Sequence, residues 1–101
     1  IAVKRSLPPE LKIQLNKLMK DSITYAMKYP KASADFIRHH AQDMNEKVQQ
    51  QHIALYVNQW SLNLGVMGKM AIRKLLEAGV VAELLPKAEV VFVDELKNLV
   101  N

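Results

Sequence analysis

Apolar residues recur at three- and four-residue spacing along most of this chain, and this helical period constrains its fold more than any other feature. The first such pattern begins at Pro9, which suits the first turn of a helix, and Pro30 ends it. Three further helices are predicted, over residues 31–42, over about 43–57 and over 66–78. The periodicity therefore predicts a mainly helical structure with about four helices.

The ends of the later helices carry recognisable signals. Either Asp43 or Asn45 can cap the third helix, and if Asp43 does so, Glu46 occupies the capping-box position. Residues 58–65, NQWSLNLG, are predicted to break the helical pattern, because Asn, Ser and Gly favour turns. Gly79 is expected as the C′ residue of the fourth helix.

Short runs of β-type residues stand at both ends of the chain, over residues 1–3 and 90–93. Residues 94–101 are expected to form a terminal helix or a frayed tail. Because two short strands alone are only marginally stable in water, we expect them to be edges of a sheet supplied by another stretch of polypeptide. The chain also lacks an initiating Met, and we expect it to be a truncated piece of a longer protein.

Composition narrows the class of protein. The 101 residues suffice for a single domain, and the net charge of +4 is spread along the chain among acidic residues, which favours solubility over a nucleic-acid footprint. Cysteine is absent, which excludes disulfides and thiolate chemistry and fits a reducing, cytoplasmic compartment. No stretch approaches the roughly 20 apolar residues of a membrane span, and no secretion signal precedes residue 10.

Histidines are the first candidates for chemistry. His39 and His40 are adjacent, so on a helix their rings diverge by about 100° and do not form a metal-binding pair. His52 and Tyr56 are one helical turn apart and can form a hydrogen-bonded or stacked pair, for which a structural role is the simpler interpretation. We predict no metal site and no cofactor.

Charged residues give weaker signals. Lys4 and Arg5 follow the first apolar run and could bind an anion at the mouth of a cleft, or could be exposed charges at a strand end. The late carboxylates are interpreted as a solvated surface: Glu83, Glu89, Asp94 and Glu95. With three glycines the chain has no Gly-rich phosphate loop, and no catalytic constellation is complete.

Four segments of the chain form an ordered set: IAVKRSLP at 1–8, KDSITYAMKYP at 20–30, FIRHHAQDMNEKV at 36–48 and HIALYVNQWSLNLGVMGKMAI at 52–72. Together they resemble one family of enzymes, the 1,4-dihydroxy-6-naphthoate synthases of the futalosine route to menaquinone. The Tyr56-Val57-Asn58 and Leu62-x-Leu64-Gly65 elements are the parts most typical of the family. The resemblance covers most of the chain and implies that it is only the C-terminal segment of such an enzyme.

The resemblance implies a fold and a reaction. The family resembles type II periplasmic binding proteins, with two α/β lobes, a cleft between them and two crossing strands as a hinge. Residues 1–5 would then be the second crossing strand, and the helices would complete the first lobe. The implied reaction is the lyase-type conversion of cyclic dehypoxanthinyl futalosine into 1,4-dihydroxy-6-naphthoate, which needs no cofactor and uses a basic residue to remove a proton.

The resemblance assigns no catalytic residue to this chain, because the family's catalytic His belongs to the part that precedes the segment. Cleft or hinge positions are expected at Lys4, Arg5, Tyr56 and Asn58. The small-molecule substrate would bind only the intact enzyme, with no nucleic acid or membrane as partner, and the segment alone is expected to be inactive. Self-association of the segment through its apolar faces is a further option. The alternative to an enzyme segment is a small helical interaction module, either self-associating or weakly nucleic-acid-binding.

Overall fold

The computed structural model describes residues 1–98 and confirms that this part of the chain is mainly helical. Five α-helices follow in order, with a 3-10 helix, Val93–Asn98, after them. The α-helices are α1 (Pro9–Lys28), α2 (Ala34–His40), α3 (Glu46–Tyr56), α4 (Gln59–Leu62) and α5 (Gly65–Val81). Two compact units share these elements: the first contains Ile1–Leu18 and the chain from Leu64 onward, and the second contains Met19–Asn63.

The predicted terminal strands are not formed by this chain alone, because the structure contains no strand within residues 1–98. Residues 1–4 and 86–92 have no regular structure, and Val93 already belongs to the 3-10 helix. A strand requires a partner that takes up its backbone N–H and C=O groups, and the described residues provide none there. The terminal helix predicted from residue 94 is present as far as Asn98, and its last three residues lie outside the described part.

The first three helices begin and end close to their predicted positions. α1 starts at Pro9 and ends two residues before Pro30, as the proline signals predict. Asn45, not Asp43, caps α3: its side-chain oxygen accepts hydrogen bonds from the backbone N–H groups of Lys47 (3.0 Å) and Val48 (3.3 Å). The Asp43 carboxylate instead accepts from the N–H of Asn45 itself at 2.8 Å and fixes the approach to the cap.

The prediction that Gly79 ends the last helix is wrong, because α5 continues to Val81. A Cβ atom at position 79 would lie 2.6 Å from the Leu85 side chain, so Gly79 allows Leu85 to pack directly on the helix backbone. The helix ends in a Schellman motif, in which the N–H of Glu83 donates to the carbonyl of Val80 and the N–H of Leu84 to that of Gly79. The C′ position is therefore Glu83, with a φ of 58°.

Replacing Glu83 with Gly is expected to stabilise the first unit by about 0.5–1 kcal/mol. A non-glycine residue in the left-handed region pays a steric penalty between Cβ and the following carbonyl, and glycine removes it. Urea unfolding followed by circular dichroism at 222 nm measures the change. The control is Glu77→Gly inside α5, which should destabilise by about 1 kcal/mol. Equal losses from both variants would contradict the Schellman assignment.

None of the described residues is fully buried in this structure. Large apolar side chains remain exposed on several helices, among them Leu55 (69%), Met67 (72%), Leu75 (72%) and Val81 (85%). A domain of this size ordinarily buries a contiguous apolar core. The helices of this chain therefore present apolar faces that the described residues themselves do not cover.

Candidate functional site

Lys4 and Arg5 lie in the first unit, at the start of the turn that leads into α1. The Arg5 guanidinium donates a hydrogen bond to the backbone carbonyl of Glu89 at 2.9 Å. The Lys12 ammonium donates to the carbonyl of Arg5 at 2.6 Å. Arg5 thus holds the segment before α1 beside residue 89, which is a structural contact, and both Lys4 and Arg5 are exposed.

His52 and Tyr56 form the predicted ring contact on α3, in the second unit. Their ring centroids are 4.8 Å apart with the planes tilted by 48°. Tyr56 remains 67% exposed, so the pair lies on the outer side of the helix. The opposite side of α3 turns Ile53, Ala54 and Val57 toward a largely apolar groove of about 260 Å³ that the end of α1 and α2 complete. One side of α3 is therefore packed against its own unit, whereas the side that carries the His52–Tyr56 pair is exposed.

Asn58 joins α3 to α4 through its side chain. Its amide nitrogen donates to the carbonyls of Leu55 (3.2 Å) and Ala54 (3.4 Å) at the end of α3. Its side-chain oxygen accepts from the N–H of Trp60 at 3.0 Å and so caps α4. One side chain satisfies free backbone groups at two helix ends, which explains why the predicted break contains a four-residue helix.

Ser61 completes this junction. Its hydroxyl accepts from the backbone N–H of Asn58 at 3.1 Å and donates to the carbonyl of Tyr56 at 3.2 Å. The Tyr56-Val57-Asn58 element is therefore brought together with α4 by hydrogen bonds that serve the backbone. Of the four residues predicted to line a cleft or hinge, Tyr56 and Asn58 meet at this junction in the second unit, and Lys4 and Arg5 lie in the first.

The adjacent histidines of α2 point to different neighbours, as the sequence predicts. Nδ1 of His39 lies 2.7 Å from the carbonyl of Asp35, and Nδ1 of His40 lies 2.8 Å from that of Phe36. The His40 ring also stacks on Phe36, with centroids 4.2 Å apart. Within the described residues no group of three or more His, Cys, Asp or Glu side chains could hold a metal ion.

The largest cluster of charged contacts among the described residues is one that the sequence does not predict, because Asp94 and Glu95 pair with basic residues of α5 instead of forming only a solvated surface. The Lys69 ammonium of α5 contacts Asp94 at 2.7 Å and Glu95 at 3.2 Å. Arg73, one turn later, lies 3.7 Å from Glu95. Hydrogen bonding to Asp94 is the main cause that raises the pKa of Lys69 above its usual value, with Glu95 adding to it and burial opposing it.

An aromatic ring completes the cluster. Lys69 and Arg73 both lie over the Phe92 ring, at 5.3 Å and 4.9 Å from its centroid. The cluster fastens the 3-10 helix to α5 by charge and by cation–π contact. The signal in the sequence is a pair of basic residues four apart on a helix together with Asp94-Glu95, but the pattern does not say that the two meet.

No helix among the described residues combines the length and the apolar character that crossing a membrane requires. Apart from the capping and ion-pair contacts above, the described side chains form no arrangement of nucleophile, base and orienting group. The hydrogen bonds and ion pairs described above stabilise helix ends and hold neighbouring chain segments together.

Comparison with known proteins agrees with the resemblance seen in the sequence. Residues 1–80 match the profile of a family described as menaquinone biosynthesis. The chain is 37% identical over 86 residues to a 1,4-dihydroxy-6-naphthoate synthase of Streptomyces coelicolor, a match that covers 85% of this chain and 30% of that protein. It is 33% identical over 75 residues to the Thermus thermophilus enzyme of the same name, covering 74% of this chain and 28% of that protein.

The matched regions therefore cover less than a third of the length of these curated relatives. No solved structure matches it significantly.

Proposed function

The chain belongs to the menaquinone biosynthesis family, and we propose that it is the C-terminal segment of a 1,4-dihydroxy-6-naphthoate synthase. The intact enzyme would convert cyclic dehypoxanthinyl futalosine into 1,4-dihydroxy-6-naphthoate in a cleft between two lobes. The observation that carries this proposal is the match to two synthases at 33% and 37% identity over most of this chain. Their names give the product, the substrate is what the family resemblance implies, and the shared sequence is the reason to extend both to this chain.

Within that enzyme we assign the segment a scaffold and hinge role. Proton abstraction requires a base held within hydrogen-bonding reach of the reacting carbon, and such positioning depends on rigid surrounding elements. Two features support a positioning role: Asn58 and Arg5 are engaged in backbone hydrogen bonds, and the helices keep apolar faces exposed for packing. The chemical step then belongs to residues outside this chain.

The experiment assays formation of 1,4-dihydroxy-6-naphthoate from the cyclic futalosine substrate. The purified 101-residue chain alone is expected to give no turnover. The second sample mixes the chain with a Streptomyces coelicolor synthase from which the region matched by this chain has been deleted. This mixture is expected to restore turnover. The intact Streptomyces enzyme serves as the positive control.

Two outcomes would contradict the proposal in different ways. Turnover by the isolated chain would refute the scaffold and hinge role. A stable complex of the two pieces without turnover, under conditions in which the intact enzyme is active, would refute the assigned reaction.

A further inference from the structure

An open hollow of about 580 Å³ lies at the C-terminal end of α1, within the second unit. Two tyrosines one helical turn apart line it, together with the turn that follows α1. We call it the tyrosine hollow, and its lining residues are Tyr25, Lys28, Tyr29, Pro30, Lys31 and Ala32. Its volume falls within the roughly 300–1,000 Å³ that is typical of small-molecule sites.

The rings of Tyr25 and Tyr29 are paired but not enclosed. Their centroids are 4.9 Å apart and their planes are tilted by 50°. Tyr25 is 59% exposed and Tyr29 is 47% exposed. Because aromatic rings attract further rings in tilted or offset arrangements, a pair that keeps this much open surface can accept a third ring from a ligand.

The turn on which Lys31 lies has a defined shape. The backbone N–H of Ala32 donates to the carbonyl of Tyr29 at 2.9 Å, and the N–H of Ala34 donates to the carbonyl of Lys31 at 3.2 Å. Pro30 restricts the backbone further through its fixed φ angle. The lining of the hollow is therefore held in place by the chain itself, which lowers the entropic cost of binding.

The charge of the tyrosine hollow is positive. The Lys28 ammonium lies 5.2 Å from the centroid of the Tyr29 ring. Within the described residues neither Lys28 nor Lys31 forms an ion pair, and no carboxylate lines the hollow. Asp35, one turn after Lys31, pairs with Arg38 instead. The hollow therefore favours an anionic ligand over a cationic one.

We propose that the tyrosine hollow binds an aromatic carboxylate, with the ligand's ring against Tyr25 and Tyr29 and its carboxylate beside the ammonium groups of Lys28 and Lys31. A neutral ring would leave the two cations without a counter-charge, and an aliphatic anion would leave the tyrosine rings without a partner. The two features together select this one chemical class.

This site goes beyond the proposed function. Its lining contains none of the residues predicted to line a cleft or hinge. The naphthoate in the names of the two matched synthases is an aromatic carboxylate and belongs to the class that the hollow selects. The inference does not depend on the proposed reaction, because it follows from the rings and charges of the hollow alone.

The test titrates the ¹⁵N-labelled chain with sodium 2-naphthoate and follows the amide signals by NMR. Binding is expected with a Kd on the order of 0.1–1 mM, since the hollow is open and the ligand is small. The largest shifts are expected at the amides of Tyr29, Lys31 and Ala32. The neutral 2-naphthalenemethanol and the non-aromatic cyclohexanecarboxylate are each expected to bind at least about fivefold more weakly.

Two double variants separate the contributions of charge and ring. Lys28→Met/Lys31→Met removes both ammonium groups and is expected to weaken binding of 2-naphthoate at least about fivefold. Tyr25→Leu/Tyr29→Leu removes both rings and is expected to weaken it by a similar factor. The comparison ligands test the same two contributions on the unchanged chain, so the assignment does not depend on the folding of the variants.

Matched controls make the same changes outside the hollow. Lys20→Met/Lys47→Met removes two exposed ammonium groups of the second unit, and Tyr56→Leu removes an exposed ring of that unit. Each control is expected to change the Kd less than about twofold.

Several outcomes would overturn the site. These are absence of 2-naphthoate binding, shifts confined to amides outside residues 25–32, or binding of either comparison ligand as strong as that of 2-naphthoate. Weakening by Tyr56→Leu as large as that by Tyr25→Leu/Tyr29→Leu would place the ligand near Asn58 and would also overturn it. None of these measurements follows turnover, so failure of the site leaves the proposed function standing, and failure of the turnover assay leaves the site standing.

Discussion

Replacing Asn58 with Ala is expected to destabilise the second unit by about 1–2 kcal/mol. The substitution removes the acceptor that caps α4 at Trp60 and the donors to the carbonyls that end α3. α4 has only four residues, so few hydrogen bonds within the helix can compensate for the lost cap. Trp60 is the single tryptophan of the chain, so urea unfolding followed by its fluorescence reports on this junction.

Two further variants make the Asn58 result specific. Asn58→Ser supplies a hydroxyl oxygen that can still cap α4 but loses the amide group that reaches the end of α3, and it is expected to lose about half as much stability as the alanine variant. Gln51→Ala, at an exposed site of α3, is expected to change stability by less than about 0.5 kcal/mol. If the Ala and Ser variants at position 58 both matched this surface control, the junction would not depend on the Asn58 side chain.

Much of the helical structure could be predicted because its signals are local. Pro9 and Pro30 act on the backbone beside them, and the start and end of α1 follow directly. For the third helix the sequence offers two possible N-cap residues, Asp43 and Asn45, and does not decide between them. The choice of Asn45 depends on which oxygen reaches the free N–H groups, which is a matter of backbone angles.

The errors at the end of α5 and at the chain termini arise from contacts that local sequence does not encode. Gly79 is a plausible helix end by residue type, but its role is to admit the Leu85 side chain. The apolar runs at 1–3 and 90–93 have strand propensity, yet strand formation requires a pairing partner. Propensity could therefore not distinguish a strand from an unpaired extended segment.

In the candidate site, too, contacts between residues close in sequence could be predicted and contacts between distant residues could not. The contact of His52 with Tyr56 could be predicted because residues four apart share a helix face. The meeting of Lys69 with Asp94 could not, since 25 residues separate them and no sequence rule brings them together. Family resemblance located the Tyr56-Val57-Asn58 element, and the structure adds that Asn58 uses its polar atoms on the backbone.

Replacing Lys69 with Met is expected to release the 3-10 helix from α5. The variant keeps the length of the side chain but loses the ion pairs to Asp94 and Glu95 and the contact with the Phe92 ring. It also leaves two neighbouring carboxylates without their main counter-charge. Hydrogen exchange measured by mass spectrometry should show markedly faster exchange of the Glu95 amide, which donates to the carbonyl of Phe92 at 3.0 Å.

The pH dependence gives this prediction a second, independent measurement. The pKa of Lys69 is raised above the usual 10.5 in the folded chain, mainly by hydrogen bonding to Asp94. Its contribution to stability is therefore complete below pH 10.5 and is lost as the pH rises through the higher folded value. The difference in melting temperature between wild type and Lys69→Met should stay constant from neutral pH to about pH 10 and shrink above it.

Lys74→Met is the matched control for this charge cluster, because it makes the same change about one and a half turns further along α5 at a side chain with no ion pair among the described residues. It is expected to leave exchange of the Glu95 amide unchanged and to show no comparable loss of its effect at alkaline pH. Equal acceleration of exchange in the two methionine variants would mean that general loss of positive charge, and not the contacts of Lys69, governs this end of the chain. A wild-type advantage that persisted undiminished well above pH 10.5 would show that the ammonium charge is not what holds the 3-10 helix in place.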